Sequence, residues 1–341
     1  MNKIFVFSAL LIIPLLTFSL TSPAKVEVVE AETGVYDLLL ELGTAPYDHA
    51  GSFTDKQRQM GEDIVRCGQT IGPDGKMSSY VSKYYVCTTC HNLDQEDPDL
   101  RISDPEARLP YVKSKGLPFL QGTTFRGIVN RESWYNDDYV RKYGEEKIGK
   151  AHNSLRGSIQ LCAVECSQGR PMEVWEINAV LAYFWTLQWN VGDLDFSEAD
   201  YQRVNRDIQN ASKKAELKDW LKTFYLDKSP AHFFDAPPDK AVGYVGLKGN
   251  PDTGRDLYEL SCLHCHKPEG VSHYVLDESK LSFRHLYDKI PRDTHFSLYQ
   301  IIAYGTYAIP GHRPYMPHYP IERMSKQQVE DLRSYIELMA L

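Results

Sequence analysis

The stretches Cys-Thr-Thr-Cys-His (87–91) and Cys-Leu-His-Cys-His (262–266) repeat one pattern, Cys-x-x-Cys-His. The pattern is the attachment signature of c-type haem, in which two thiols bond to the porphyrin and the adjacent imidazole binds its iron. A thioredoxin-like redox pair and half of a zinc site also contain closely spaced cysteines. Neither accounts for a histidine directly after the second cysteine in both copies. The sequence therefore predicts two covalently bound haem c groups, held by Cys87, Cys90, His91, Cys262, Cys265 and His266.

Length and composition are those of an ordinary globular protein. At 341 residues, with 42% hydrophobic and 25% charged residues, the chain is long enough for two domains. A formal net charge of −8 argues against a nucleic-acid partner, because such a partner requires a basic surface. No segment has the two-residue period of a strand, so we expect an all-α protein with two cytochrome c-type domains, each around one haem. The domains would span 25–192 and 245–341, with a helical or irregular linker at 193–244.

Helix signals flank both motifs. Thr54-x-x-Gln57 is a capping box that predicts a helix reaching about Cys67, ahead of the first motif. Ser325-x-x-Gln328 is a second capping box, and the apolar residues after it recur on one helical face. Helix, haem motif, irregular middle and terminal helix are the parts of a small single-haem cytochrome.

The N-terminal residues have the features of a secretory signal. A short basic start at 1–3 is followed by an apolar run at 4–20 and a small-residue cleavage site at 22–24. A retained membrane anchor is the alternative, because the run is nearly long enough to cross a bilayer, although Pro14 interrupts it. We expect a cleaved signal peptide at 1–24 and a periplasmic protein, since covalent haem attachment in bacteria is completed outside the cytoplasmic membrane.

Residues 245–341 resemble class I cytochromes c, in which a haem motif is followed by a Met-Pro loop and a capped amphipathic helix. The resemblance implies that Met316, which precedes Pro317, binds the second iron opposite the motif histidine. The alternative gives Met316 a core role, and the iron then takes His312 or His318 or keeps an open position. A His/Met haem has a raised potential and a closed coordination shell, which suits electron transfer rather than substrate chemistry.

Three cysteines lie outside the motifs, namely Cys67, Cys162 and Cys166. An odd number cannot all pair within one chain, so at least one thiol is free or has another role. The segment 154–189 resembles the haem-thiolate domain of the cytochrome subunit of thiosulfate-oxidising complexes. The order of the two domains resembles dihaem thiosulfate dehydrogenases, and the resemblance covers about residues 87–189.

In those families a cysteine ahead of a glycine-containing turn ligates the iron and forms the sulfur-handling site. The resemblance implies that Cys162 has this role here. A thiolate ligand stabilises ferric iron and lowers its potential, and Cys67 and Cys166 are then free to form a disulfide. Two alternatives remain open: a Cys67–Cys162 disulfide that leaves Cys166 spare, and His152 as the ligand.

One position departs from the family pattern. The thiosulfate dehydrogenases carry an arginine three residues after the ligand cysteine, whereas this chain has Glu165. A carboxylate there would repel an anionic sulfur substrate. Arg156 and Arg170 are the candidates for the missing positive charge, and therefore for catalytic residues beside Cys162.

The sequence supports two functions that share both cofactors. The first is a periplasmic dihaem electron-transfer protein. Electrons would enter at the haem of the first motif (haem 1) and leave from the haem of the second motif (haem 2) to a soluble cytochrome or a terminal oxidase. The second is a sulfur-compound oxidoreductase of the thiosulfate dehydrogenase type, which takes a small anionic sulfur compound at Cys162. A dihaem peroxidase is more remote, because it needs an open iron site that the sequence does not locate.

Overall fold

The computed structural model describes residues 26–292, 296–306 and 314–341. The signal peptide expected at 1–24 and the alternative ligand His312 lie outside the described residues. Over the described ranges the chain forms helices joined by turns and loops, with two isolated bridges and no β-strand. The expectation of an all-α fold is confirmed. Within the same ranges, no helix has the length and hydropathy needed to cross a membrane.

The helices of the first half and of the middle segment are α1 (Val35–Glu41), α2 (Asp55–Cys67), α3 (Pro105–Lys115), α4 (Val140–Tyr143), α5 (Glu145–Ala151), α6 (Leu155–Leu161), α7 (Val174–Phe184), α8 (Glu198–Asp207) and α9 (Lys214–Leu221). Those of the second half are α10 (Pro251–Leu257), α11 (Leu263–His266), α12 (Lys280–Tyr287), α13 (Leu298–Tyr304) and α14 (Lys326–Ala340). A π-helical turn follows α6 at Cys162–Cys166 and another follows α10 at Tyr258–Cys262. Such turns are often found at functional sites.

The two predicted capping boxes begin the helices that flank the motifs. At the start of α2, the hydroxyl of Thr54 accepts from the backbone N–H of Gln57 at 3.2 Å, and the Gln57 side chain accepts from the backbone N–H of Thr54 at 2.9 Å. Ser325 and Gln328 form the same reciprocal pair at the start of α14. Gly68 ends α2 with a φ of 77°, a left-handed conformation that glycine adopts without a Cβ clash.

Each half of the chain is built on one close helix crossing. Helix α2 meets α7 at Gly61, and α10 meets α14 at Gly254. A Cβ on Gly61 would lie 1.9 Å from the carbonyl oxygen of Ala179, and one on Gly254 would lie 2.0 Å from that of Asp331. Only glycine lets two helix backbones approach this closely, so both helix crossings require a residue without a Cβ.

The middle segment packs onto the N-terminal residues. Helices α8 and α9 pack with α1 in a hydrophobic cluster that contains Leu38, Leu39, Val204 and Leu221. Two other clusters lie around the α2–α7 crossing and around α10, α12, α13 and α14. The described residues thus form a core in each half, a third one beside the first, and a small fourth one at Ile148, Ala151 and Leu161.

A buried ion cluster joins the two halves. The carboxylate of Glu96 lies 2.8 Å from the guanidinium of Arg323 and 3.6 Å from that of Arg108 on α3, and these side chains are at most 2% exposed. Burial raises the pKa of Glu96, but the two positive charges outweigh it and hold the pKa below its ordinary value. Because Arg323 lies just ahead of α14, the cluster fixes this end of the second half against the first.

Candidate functional site

A cavity of about 210 Å³ lies against the first motif. Cys87, Cys90 and His91 line it, together with apolar side chains from α2, α6 and α7. Tyr315 and Pro317, which come from the second half of the chain, complete part of its wall. The cavity is therefore built by both halves.

The histidine of the first motif is held in the form that binds iron. Nδ1 of His91 lies 2.6 Å from the carbonyl oxygen of Thr123 and donates to it. Because a carbonyl only accepts, the hydrogen is on Nδ1 and the Nε2 lone pair is available to a metal. Burial lowers the pKa of His91 and so favours the neutral ring, which is the protonation state of a metal ligand.

The second motif has the same arrangement. Nδ1 of His266, at the end of α11, donates to the carbonyl oxygen of Tyr274 at 2.6 Å, and burial lowers the pKa of His266 as well. Cys262 and Met316 both pack at the edge of the C-terminal hydrophobic core. The backbone N–H of Met316 donates to the hydroxyl of Thr306 at 2.8 Å, which fixes the loop that carries the thioether.

The residues at both motifs fit a covalently attached haem. Each motif supplies two free thiols and one neutral imidazole with an available Nε2. The surroundings are apolar, as a porphyrin ring requires, and in the first half they enclose the cavity. The residues that would hold the haem are thus the six that the sequence predicted.

A further pair of thiols reaches the first cavity from the π-helical turn after α6. Cys162 and Cys166 both line it, and the Sγ of Cys166 lies 3.3 Å from the hydroxyl of Tyr143 and 3.5 Å from that of Tyr135. The hydrogen bond from Cys162 outweighs burial and, with the tyrosines and the charge of Lys142, lowers the pKa of Cys166 to about 6. The same hydrogen bond, together with burial, raises the pKa of Cys162. This side of the cavity therefore presents two neighbouring thiols whose pKa values shift in opposite directions.

Sequence reasoning missed Cys166 as a cavity residue, although its spacing carried a signal. Residues four apart on a helix lie on one face, so Cys162 and Cys166 point the same way. The Cys67–Cys166 disulfide that the ligand assignment left possible is not formed: Cys67, the last residue of α2, is exposed, Cys166 lines the cavity, and both are free thiols. A Cys67–Cys162 disulfide is absent for the same reason. His152, the other alternative, is not among the described residues that line the cavity.

The charged side chains singled out from the sequence do not line the described cavity. Glu165 forms a surface ion pair with a lysine, so its carboxylate does not point at the thiols. Arg156 donates to Oδ1 of Asn178 at 2.6 Å, and Arg170 forms a two-pronged ion pair with Glu176 at 2.6 and 2.7 Å. The catalytic roles expected for Arg156 and Arg170 are therefore not supported, because each guanidinium is bound to a partner elsewhere.

Other polar groups reach the cavity instead. They include Arg131 from the first half and His318, Glu322 and Arg323 from the second. His318, considered from the sequence as a ligand of the second iron, lines the cavity of the first motif. No local pattern could have indicated this, because the loop that carries these residues returns from the far end of the chain.

Comparison with known proteins identifies the C-terminal part of the chain. Residues 251–340 match the family model described as Cytochrome c. No curated protein and no solved structure matches the chain. The match contains the second motif, so this part is a cytochrome c domain with at least one covalently bound haem c and a role in haem-based electron transfer.

Proposed function

Since residues 251–340 form a cytochrome c domain, we propose that the whole chain is a periplasmic dihaem c-type cytochrome that transfers electrons. Electrons enter at the motif at 87–91 and leave from the motif at 262–266, to a soluble cytochrome or a terminal oxidase. The observation that carries the proposal is that the two halves repeat one local arrangement around their motifs.

Three features recur in the two halves. Each motif histidine donates from Nδ1 to a backbone carbonyl at 2.6 Å. Each motif is preceded by a helix that crosses a second helix at a glycine. In both crossings the glycine faces a backbone carbonyl of the second helix and the side chain of a tyrosine four residues after that carbonyl. The matched sets are Gly61 with Ala179 and Tyr183, and Gly254 with Asp331 and Tyr335. Because the second half is a cytochrome c domain, this repetition supports a second haem in the first half.

The two proposed haems differ in their sixth ligand. Covalently bound haem supplies the reversible one-electron chemistry of its iron. We assign His91 and Cys162 to the first iron, and His266 and Met316 to the second. A thiolate lowers the potential and a thioether raises it, so the ligand sets favour electron flow from the first site to the second.

The loop around Met316 touches both sites. The hydroxyl of Tyr85, two residues ahead of the first motif, donates to the carbonyl oxygen of Tyr315. Tyr315 and Pro317 line the first cavity, while Met316 packs with Cys262 at the edge of the C-terminal core. Three consecutive residues therefore contact both sites, which supports electron exchange within the chain.

Haem counting tests the dihaem proposal. Intact mass measurement of the purified protein should show two covalent haems, and the double variants C87S/C90S and C262S/C265S should each retain one. Cys67→Ser, which changes the exposed thiol, is the matched control and should retain two. A wild-type protein with one haem would overturn the proposal. Haem staining of periplasmic and cytoplasmic fractions tests the compartment in the same preparation.

A sulfur-compound oxidoreductase is the second candidate function. The observation that favours it is the cavity itself, in which Cys162 and Cys166 lie beside the first motif with the hydroxyls of Tyr135 and Tyr143. A pure carrier has no need of a second thiol and two hydrogen-bond donors in its haem pocket. Glu165, which argued against an anionic substrate, is turned away into a surface ion pair.

Spectroscopy of cysteine variants tests this candidate. Low-temperature EPR of the oxidised protein should show a low-spin, thiolate-ligated haem that disappears in Cys162→Ala and persists in Cys166→Ala and Cys67→Ala. Anaerobic addition of thiosulfate should reduce the haems of the wild type, and this reduction should be lost in Cys162→Ala. An unchanged EPR spectrum in Cys162→Ala contradicts the ligand assignment. Absence of haem reduction across a panel of sulfur compounds leaves the carrier function alone.

A further inference from the structure

The wall of the first cavity contains a polar pair that electron transfer does not use. His318 lies in the loop after Met316, lines the cavity and is only 8% exposed. Nζ of Lys142, on α4, lies 2.7 Å from Nδ1 of His318. The pair therefore joins the first half to the second at the cavity wall.

Lys142 determines which ring nitrogen of His318 carries the hydrogen. An ammonium group has three hydrogens to donate and no lone pair, so Nδ1 of His318 accepts. The hydrogen of the neutral ring is then on Nε2. This nitrogen is buried and has no hydrogen-bond partner among the described residues. A buried donor without an acceptor is unfavourable, so the arrangement calls for a ligand with an acceptor atom in the cavity.

The donor lies on the same wall as the thiols. The ring of Tyr139 has its centroid 6.0 Å from that of His318 and 6.2 Å from that of Tyr143. The hydroxyl of Tyr143 in turn lies 3.3 Å from the Sγ of Cys166. His318, two tyrosines and Cys166 therefore follow one another along the cavity wall.

The charges around the cavity favour an anion. Arg131 and Arg323 line it, and Lys142 stands directly behind His318. Among the described cavity-lining residues the one carboxylate is that of Glu322, which is hydrogen-bonded to His232. Arg323 already has the carboxylate of Glu96 as its counter-charge. Arg131 and Lys142 are therefore the cations of this set that are left to stabilise an anionic ligand in the apolar pocket.

We propose that His318, positioned by Lys142, binds an oxygen of a small sulfur oxyanion at the thiol side of the first cavity. The inference rests on the sulfur-oxidoreductase candidate and names its substrate-binding group. The Nε2–H of His318 donates to the oxyanion oxygen, Lys142 supplies the compensating charge, and the sulfur atom lies toward Cys162 and Cys166. The carboxylate of a haem propionate offers the same acceptor chemistry and is the competing source of the ligand.

Calorimetric titration of the reduced holoprotein with thiosulfate tests the proposal without turnover, because haems that are already reduced cannot accept electrons from the ligand. A hydrogen bond to a charged ligand corresponds to about a tenfold change in Kd or more, so His318→Leu and Lys142→Met should each weaken binding by at least that factor. His318→Gln, which keeps an N–H donor, should restore binding to within about threefold of the wild type. Lys147→Met is the matched control, because Lys147 pairs with Glu165 at the surface, and should leave Kd unchanged.

The outcomes separate this inference from the function on which it rests. An unaltered Soret spectrum and haem count in each variant show that it is folded. If the wild type binds thiosulfate and His318→Leu binds it equally well, the inference is overturned and the sulfur-oxidoreductase candidate stands. If the wild type binds no thiosulfate, the inference is overturned. If the panel of sulfur compounds also fails to reduce its haems, the sulfur-oxidoreductase candidate falls with it, while the electron-transfer proposal is decided by haem counting. If Lys142→Met leaves the Kd for thiosulfate unchanged but lowers the potential of haem 1, the Lys142–His318 pair binds a haem propionate, and the inference is overturned.

Discussion

Replacing Gly61 by alanine should force apart the two helices that support the first cavity. The added Cβ would lie 1.9 Å from the carbonyl oxygen of Ala179 and 2.9 Å from the Cβ of Tyr183. Both atoms belong to the body of α7, so rotation of a side chain cannot relieve the contact. For an ordinary separation of 3.4 Å, the carbonyl must move by about 1.5 Å.

The free-energy cost follows from the packing that this movement loosens. Ile64 and Val65 of α2 and Val180 of α7 are at most 1% exposed and belong to the cluster at the crossing. Overpacking a core costs roughly 1–3 kcal/mol, and an obstacle made of backbone places Gly61→Ala at the upper end, about 3 kcal/mol. Gly254→Ala should cost a similar amount in the second half, because its Cβ would lie 2.0 Å from a carbonyl oxygen of α14.

Gly149→Ala is the matched control for both variants. Gly149 lies within α5, and a Cβ there would meet nothing within 4 Å. Alanine is favoured over glycine in a helix by roughly 0.5–1 kcal/mol, so this variant should be slightly more stable than the wild type.

Guanidinium unfolding of the holoprotein, followed by far-UV circular dichroism and by Soret absorbance, measures these differences. Gly61→Ala and Gly254→Ala should both lower the midpoint, whereas Gly149→Ala should not. An unfolding free energy of Gly61→Ala equal to that of Gly149→Ala would refute the backbone-contact reasoning. It would also remove one of the features on which the second haem is argued.

Three further predictions concern the buried ion cluster and the charges outside the cavity. Glu96→Gln should destabilise the protein by about 3–5 kcal/mol in thermal unfolding, because Arg323 and Arg108 lose their buried counter-charge. Glu146→Gln, which changes a surface carboxylate, is the control and should leave Tm unchanged. Burial raises the pKa of Asp97 from 3.8 to about 6, so the folded state holds the proton of this carboxyl more tightly than the unfolded state does. The protein therefore loses stability as the pH rises from about 4 through 6. Asp97→Asn should therefore raise Tm at pH 7 and leave it unchanged below pH 4; equal shifts at both pH values would contradict the assignment. Arg156→Ala should leave the Kd for thiosulfate within about twofold in calorimetry, because Arg156 binds Asn178 away from the cavity; a larger loss would return it to the site.

Local signals in the sequence predicted correctly where the helices that flank the motifs begin, and the haem ligands of the motifs stay a prediction that the surrounding geometry fits. The capping boxes at Thr54 and Ser325 form as predicted, because a cap depends only on residues within one turn. The all-α fold followed from the absence of any strand period. A count of cysteines contains no distances, so it left a Cys67–Cys166 pair possible, whereas the structure puts one thiol on the surface and the other in the cavity.

The sequence by itself determined that this chain carries covalently bound haem, because attachment requires only a short motif whose atoms are neighbours along the backbone. It also indicated Cys162, through a segment whose order of residues resembles known haem-thiolate domains. Only the tertiary structure decided what else faces the first cavity. Lys142 and His318 come from opposite halves of the chain and meet through a single hydrogen bond at 2.7 Å. Arg156 and Arg170 are held away from the cavity by Asn178 and Glu176, which the sequence did not indicate as their partners. The physical reason is that the charge and donor pattern of a cavity is set by packing between distant segments, whereas haem attachment is set by local sequence.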